Sequence, residues 1–211
     1  MLLYDWTHWS AFFAAAFLLN ISPGPDLAFI LGHTTRGGAR TGMAAMLGIW
    51  TGALGHVVMA ALGLSAIVAA TASAFSVVKW IGVAYLFWLG IKAIRSRGGT
   101  MQASVEGPVD GFWAIFRQGA LVDLLNPKVA IFFLAFLPQF VVEGQGPVWM
   151  QLLLHGVLII VVASFVEPPL ILLGARFSAR LRDNRRLAMW IDRTLGALLM
   201  GLGLRLALEE R

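Results

Sequence analysis

Six apolar stretches, each close to the roughly 20 residues a helix needs to cross about 30 Å of hydrocarbon, take up most of this chain. They run at about 9–33, 42–70, 75–94, 116–140, 148–175 and 187–208. Of the 211 residues, 59% are hydrophobic and 13% charged, and the mean hydropathy is +0.80, a balance that a water-soluble domain of this size does not carry on its surface. The expectation is an all-α integral membrane protein with six transmembrane helices in one domain, 1–211. No soluble domain fits between the spans, and the longest polar connection, about 95–117 with "RSRGGT" and "EGPVDG", reads as a flexible loop.

The first span could be mistaken for a removable leader, since "AFFAAAFLL" resembles an apolar signal core. The residues before it, "MLLYDWTHW", carry Asp5 and no Lys or Arg, so the basic leader region is missing and the span is expected to be retained. The chain has no cysteine, which excludes disulfides, thiolate metal sites and a Cys nucleophile.

Charge placement gives the orientation. The formal net charge is +5, but the basic residues gather in alternate loops: Arg36 and Arg40 in the first; Lys92, Arg95, Arg97 and Arg117 around the third; Arg176, Arg180, Arg182, Arg185 and Arg186 in the fifth. By the positive-inside rule these loops face the cytoplasm and both termini face outward. The basic surplus is then a topology signal and a contact for anionic lipid headgroups, not for nucleic acid. Trp6, Trp9, Trp80 and Trp149 fall at outer ends of spans and Trp113 and Trp190 at inner ends, as interfacial indoles prefer. Trp50 and Trp88 lie deeper and read as packing residues.

Two spans are interrupted. "NISPGPD", Asn20 to Asp26, cuts the first, and "DLLNPK", Asp123 to Lys128, cuts the fourth at a similar depth. Proline removes a backbone N–H and pushes the preceding residue away from helix, so Pro23, Gly24 and Pro25 in one span and Asn126–Pro127 in the other predict half-helices. Broken backbone at membrane depth is tolerated where it is buried in protein or lines a wet cavity. Its free N–H ends attract carboxylates and its free carbonyls attract cations. Pro127 follows Pro23 by 104 residues, and "WIGVAYLFWLGIKA" from Trp80 is echoed by "WIDRTLGALLMGLGLRLA" from Trp190. These spacings suggest two inverted three-helix repeats, about 1–95 and 112–211, with the first and fourth helices broken.

At these residues the chain resembles the LysE/RhtB family of amino-acid exporters. "NISPGPD", "RGGARTGMAAMLGIWTGALGHVVMAALGLSA", "KWIGVAYLFWLGIKAIRS" and "FRQGALVDLLNPKVAIFFLAFLPQF" carry the resemblance from about 20 to 140, while the last two spans match mainly in hydropathy and length. The resemblance implies a bacterial permease that exports amino acids or related metabolites, driven by the proton gradient. One departure stands out: where the family often has an amide ahead of NPK, this chain has Asp123, which bears on substrate and ion coupling.

Charges inside the spans point to transport independently. Asp26, Asp123, Lys128 and Glu167 fall at hydrocarbon depth, where an ionised side chain costs roughly 2.5–3.5 kcal/mol on insertion scales. Such groups need a partner or a proton. The expected substrate and ion pathway is therefore Asn20, Ser22, Pro23, Gly24, Pro25, Asp26, Asp123, Asn126, Pro127 and Lys128. His56, midway along the second span, and Glu167, which could instead pair with the basic fifth loop, join it more weakly. Gly48 and Gly52 form a GxxxG suited to close helix contact, within the subunit or between subunits of a homo-oligomer. His8, His33 and His155 look like ordinary interfacial residues.

No His/Glu cluster has zinc spacing and no Gly-rich loop precedes Lys and Ser/Thr, so neither metal nor cofactor is expected. A secondary-active exporter exchanging a small molecule for protons fits best. A membrane-embedded enzyme would need a nucleophile with its base or a metal constellation, and none is visible. A passive channel or accessory scaffold is the other alternative.

Overall fold

The structure is a computed structural model that describes residues 4–22, 24–64, 110–173 and 185–208, together with part of 80–95. The described residues are helical or turn, with no strand among them. Pro23, the N-terminal end of the third span and most of the third and fifth loops lie outside the described residues, as do the side chains of Pro127 and Lys128.

Helix α1, Trp6–Ile21, starts at Asp5, whose Oδ1 accepts the His8 N–H at 2.6 Å and so satisfies one of the orphan donors of the first turn. It stops at Ser22, where ψ swings to 127°. The reason is chemical: the carbonyls of Leu19 and Ile21 would accept from the N–H groups of residues 23 and 25, but both are prolines without an N–H. The Ser22 N–H takes up the Leu18 and Leu19 carbonyls instead, at 3.0 and 3.3 Å.

Helix α2 then runs Pro25–Met59, with proline in its first turn and a π-helical turn, Ala60–Leu64, at its end. It is not one straight rod. Gly38 has φ 76° and ψ −167°, a left-handed conformation that favours glycine. The Thr41 hydroxyl donates to the His33 carbonyl at 2.6 Å and lies 2.9 Å from the Gly38 carbonyl. Asp26 and Trp50 line one cavity, although 24 residues on a straight helix would separate them by about 36 Å. The helix is thus folded at Gly38 into a hairpin, and the expected first loop shrinks to a single glycine turn.

The fourth span is likewise two helices, α3 at Phe112–Leu124 and α4 at Pro127–Phe136, followed by a 3-10 turn at Leu137–Phe140. Helix α5 is Val148–Leu172 and helix α6 is Arg185–Leu208. Among the described residues two helical segments, Pro25–Gly63, which includes the fold at Gly38, and Val148–Leu172, are long and apolar enough to cross a membrane. The first and fourth spans, expected from sequence to be broken, are cut into pieces of 16, 13 or 10 residues, too short to cross alone.

The second arm of the α2 hairpin packs backbone to backbone on α3. A Cβ at Gly119 would stand 2.7 Å from the Ala45 carbonyl oxygen, and one at Gly52 would stand 2.6 Å from Cβ of Asp123. The Gly48–Gly52 pair therefore works within the subunit, and Gly52 makes room for Asp123. Gly90 and Gly196 bring the helical residues of 80–94 equally close to α6. Elsewhere the core is aromatic: Phe12 of α1, Phe132, Phe133 and Phe136 of α4, and Phe140 of the 3-10 turn are all buried.

Gly119→Val should lower the thermal unfolding midpoint of the detergent-solubilised protein, because overpacking a tight contact costs roughly 1–3 kcal/mol. Gly111→Ala, where nothing lies within 4 Å, should leave the midpoint unchanged. Scanning fluorimetry of the two variants checks both.

Candidate substrate and ion site

The two breaks meet. Asn126 stands between α3 and α4, where its carbonyl accepts the Val129 and Ala130 N–H groups at 3.1 Å each, and its side-chain Nδ2 donates to Asp26 Oδ1 at 2.7 Å. Asp26 sits in the first turn of α2. Two helix N-termini, each opened by a proline, are thus joined 100 residues apart by one amide–carboxylate hydrogen bond. Helix N-termini carry unpaired N–H groups and positive dipole ends, which favour the carboxylate of Asp26 and any further anion.

Beside this junction lies a cavity of about 60 Å³, room for several waters. Asn20, Ser22, Asp26, Asp123, Glu167 and Trp50 give it polar walls, and Ile49, Val129, Phe133 and Ile159 supply apolar ones. Three carboxyl groups therefore face one small space between helices. Asp123 and Glu167 are buried, at 2% and 6% exposure, and Asp26 is half-buried.

Each carboxyl group is held differently. The Trp50 indole N–H donates to Glu167 Oε2 at 2.7 Å; an indole only donates, so this oxygen is fixed as an acceptor. Asp26 is held by Asn126. Asp123 Oδ2 accepts no hydrogen bond among the described residues, and His56 Nε2 lies 4.0 Å from it. His56 meets the break as well. Its Nε2 lies 3.0 Å from the Asp123 carbonyl, which can only accept, so Nε2 carries the hydrogen and donates. That carbonyl is available because its helical partner would be the N–H of residue 127, a proline; the Asn126 N–H takes it too, at 2.9 Å.

The residues expected from sequence converge with few exceptions. Asn20 reaches across from α1, donating Nδ2 to the Ala16 carbonyl at 2.8 Å and the Ile159 carbonyl of α5 at 3.3 Å. Ser22 and Asp26 line the cavity, Gly24 and Pro25 open α2, Asn126 closes the junction, and Pro127 begins α4. Pro23 and the Lys128 side chain lie outside the described residues. Glu167 faces Trp50 and the cavity, while most of the basic fifth loop lies outside the described residues. Trp50, read from sequence as packing, is a polar wall of the cavity. The signal that could have found it is its depth: an indole N–H far from the interface needs an acceptor.

Residues 17–210 match the LysE type translocator family. The chain belongs to this family of membrane transporters. It is 30% identical to the homoserine/homoserine lactone efflux protein of Salmonella typhimurium over 204 residues, 97% of each chain. It is also 30% identical to an uncharacterized membrane protein of Vibrio cholerae over 199 residues, covering 94% of this chain and 96% of that one. A third, an uncharacterized membrane protein of Pseudomonas aeruginosa, is 31% identical over 94% of each chain. No solved structure matches the chain. The LysE family consists of transporters rather than enzymes.

Pro127→Ala would restore an N–H that competes with His56 for the Asp123 carbonyl. The variant should insert at near-normal abundance and lose most of its export activity; immunodetection beside an export assay of the overproducing cells checks the pair. Normal export at normal abundance would mean that the break does not shape the site.

Proposed function

We propose that this LysE-type translocator is a secondary-active exporter of homoserine-like amino acids or related small metabolites, exchanging them for protons. The observation that carries the reading is three carboxyl groups around one cavity at the meeting point of two broken helices. Three ionised carboxylates in so small a desolvated space would repel one another and each cost several kcal/mol. The arrangement therefore calls for protons or an ammonium group, which are the two cations that an amino acid–proton antiporter handles. The name of the Salmonella relative supports the cargo class.

An amino acid brings a carboxylate and an ammonium. The N–H groups at the starts of α2 and α4 suit the first. For the second, Asp26 and Asp123 are the candidates; Asp26 is held by Asn126, whereas Asp123 keeps a buried oxygen without a hydrogen-bond donor among the described residues. Asp123 is thus the group assigned to exchange, with His56 beside it and Asp26 as the fixed support. Substrate and proton compete for that oxygen, and exclusion of one by the other yields antiport. The enclosing fold is read as two inverted repeats of three spans, about 1–95 and 112–211, with both termini outside.

In vesicles with an imposed pH gradient, Asp123→Asn should abolish gradient-driven accumulation of homoserine, and Asp123→Glu should retain part of it. If Asp123→Asn concentrates homoserine as wild type does, Asp123 is not the coupling group and Asp26 or Glu167 takes its place. For the topology, a reporter active only outside the cytoplasmic membrane should work when fused after Arg211 and fail when fused near Arg182.

A further inference from the structure

Away from the cavity, a second set of titratable side chains is built into the end of the molecule where α1 begins. His8 Nε2 and His155 Nε2 lie 2.8 Å apart. His155 is buried, at 1% exposure. Its other ring nitrogen, Nδ1, lies 2.8 Å from the Gln151 carbonyl. A carbonyl only accepts, so Nδ1 of His155 carries a hydrogen; in the neutral ring Nε2 is then a lone pair, and the hydrogen between the rings belongs to His8. The partners thus fix both tautomers.

The pair ties α1 to α5, and its surroundings reinforce the tie. Tyr4 stacks on His8 with ring centres 4.2 Å apart and donates its hydroxyl to Gln151 Oε1 at 2.9 Å. The same Gln151 amide accepts from Val142 N and donates to the carbonyls of Val142 and Gly146, each at 2.9–3.0 Å. The connection between α4 and α5 is thereby fastened to both helices. Beneath the histidines, Phe12, Phe136 and Phe140 pack against one another, all with 0–1% exposure. Phe12 and Phe140 also touch the His155 ring. Three helices carry a stripe at helical spacing from this cluster down to the cavity: His8, Phe12, Ala16 and Asn20 on α1; Phe140, Phe136 and Phe133 on α4 and its 3-10 turn; His155, Ile159, Ala163 and Glu167 on α5. The histidine pair thus sits in this stripe between the cavity and the Tyr4–Gln151 contact at the end of the molecule.

We propose that His8 and His155 form a proton-operated lock on this mouth of the cavity, held while the pair carries no more than one extra proton and released by the second. The first added proton leaves a donor facing an acceptor and makes the hydrogen bond charge-assisted. The second places an N–H on both Nε2 atoms, two donors and two positive charges facing each other at hydrogen-bond distance with no acceptor between them, in a buried setting. The rings then part, and α1 with Phe12 moves away from α5. The other titratable or charged groups on the elements packed here, among the described residues, are Tyr4 and Asp5 at the start of α1 and Glu143 in the α4–α5 connection. The Asp5 carboxylate is engaged by the His8 backbone N–H, and Glu143 is exposed. For an exporter driven by external protons, a reading on which the physiological meaning rests, acid on this side would open the mouth that releases cargo and admits the exchanging proton.

The chain has no cysteine, so Ile159→Cys, in the cavity one turn below His155, provides a single thiol reporter. Its labelling by a membrane-impermeant thiol reagent is measured in right-side-out and inside-out vesicles, with reagent and acid on the same side, and normalised to the reagent's reaction with a free small thiol at the same pH. From the side bearing α1's start, the normalised rate should rise about tenfold as the bath falls from about pH 7.5 to about pH 4, with most of the change at the acid end, because the second proton must join a buried pair that is already charged. From the other side it should not change. Adding His8→Gln, whose amide still donates to His155 but takes no proton, should hold the rate low at both pH values; adding His8→Ala should leave it high at both. A pH-independent rate with both histidines present, a wild-type response in His8→Gln, or a low rate in His8→Ala overturns the lock. Transport does not enter the readout, so failure of proton-driven export would leave these outcomes unaffected.

Discussion

Backbone hydrogen bonds that cannot be made inside a membrane organise this protein. Prolines at 25 and 127 have no N–H to return to Ile21 and Asp123, and in hydrocarbon an abandoned carbonyl has no water to turn to. The fold answers by bringing the interrupted spans together. Asn126 links the start of α4 to Asp26 at the start of α2, while the Asp123 carbonyl receives both the Asn126 N–H and the His56 ring. Polar groups that would be intolerable singly thus become mutual partners, and the space left between them is the cavity.

Close packing makes that convergence possible. Glycines at 48, 52 and 119 let the second arm of α2 lie backbone to backbone on α3, which delivers Asp123 to the cavity wall and His56 to its carbonyl. Trp50, on the same arm, reaches Glu167 of α5. One rigid contact between two helices therefore sets the positions of two of the three carboxyl groups, and the junction of the breaks sets the third. On α5, His155 and Glu167 share a face with the cavity residues Ile159 and Ala163 between them. A single helix thereby connects the proposed lock to the site it guards.

Much of this was legible in the chain itself. Proline chemistry is local, so the breaks at 22–24 and 125–126 could be read from "SPGP" and "NPK", and the cost of ionised groups in hydrocarbon singled out Asp26, Asp123 and Glu167 before any geometry was known. GxxxG spacing foretold the glycine contacts, though not that they lie within the subunit. Pairings between distant residues were not legible. Nothing local to Trp50 names Glu167, and nothing near His8 names His155, because each depends on how two helices are rotated against each other. The first connection is tighter than "RGGAR" suggests: a single left-handed glycine, Gly38, suffices to fold α2 back on itself.

The central claim is that substrate ammonium and proton compete for one buried carboxyl oxygen. Adding homoserine to the purified protein in a weakly buffered solution with a pH indicator measures this directly, without a membrane or a gradient. The account predicts that binding releases protons in proportion to occupancy, and that Asp123→Asn releases markedly fewer. Saturable binding of homoserine by the unmodified protein with no proton release would contradict it.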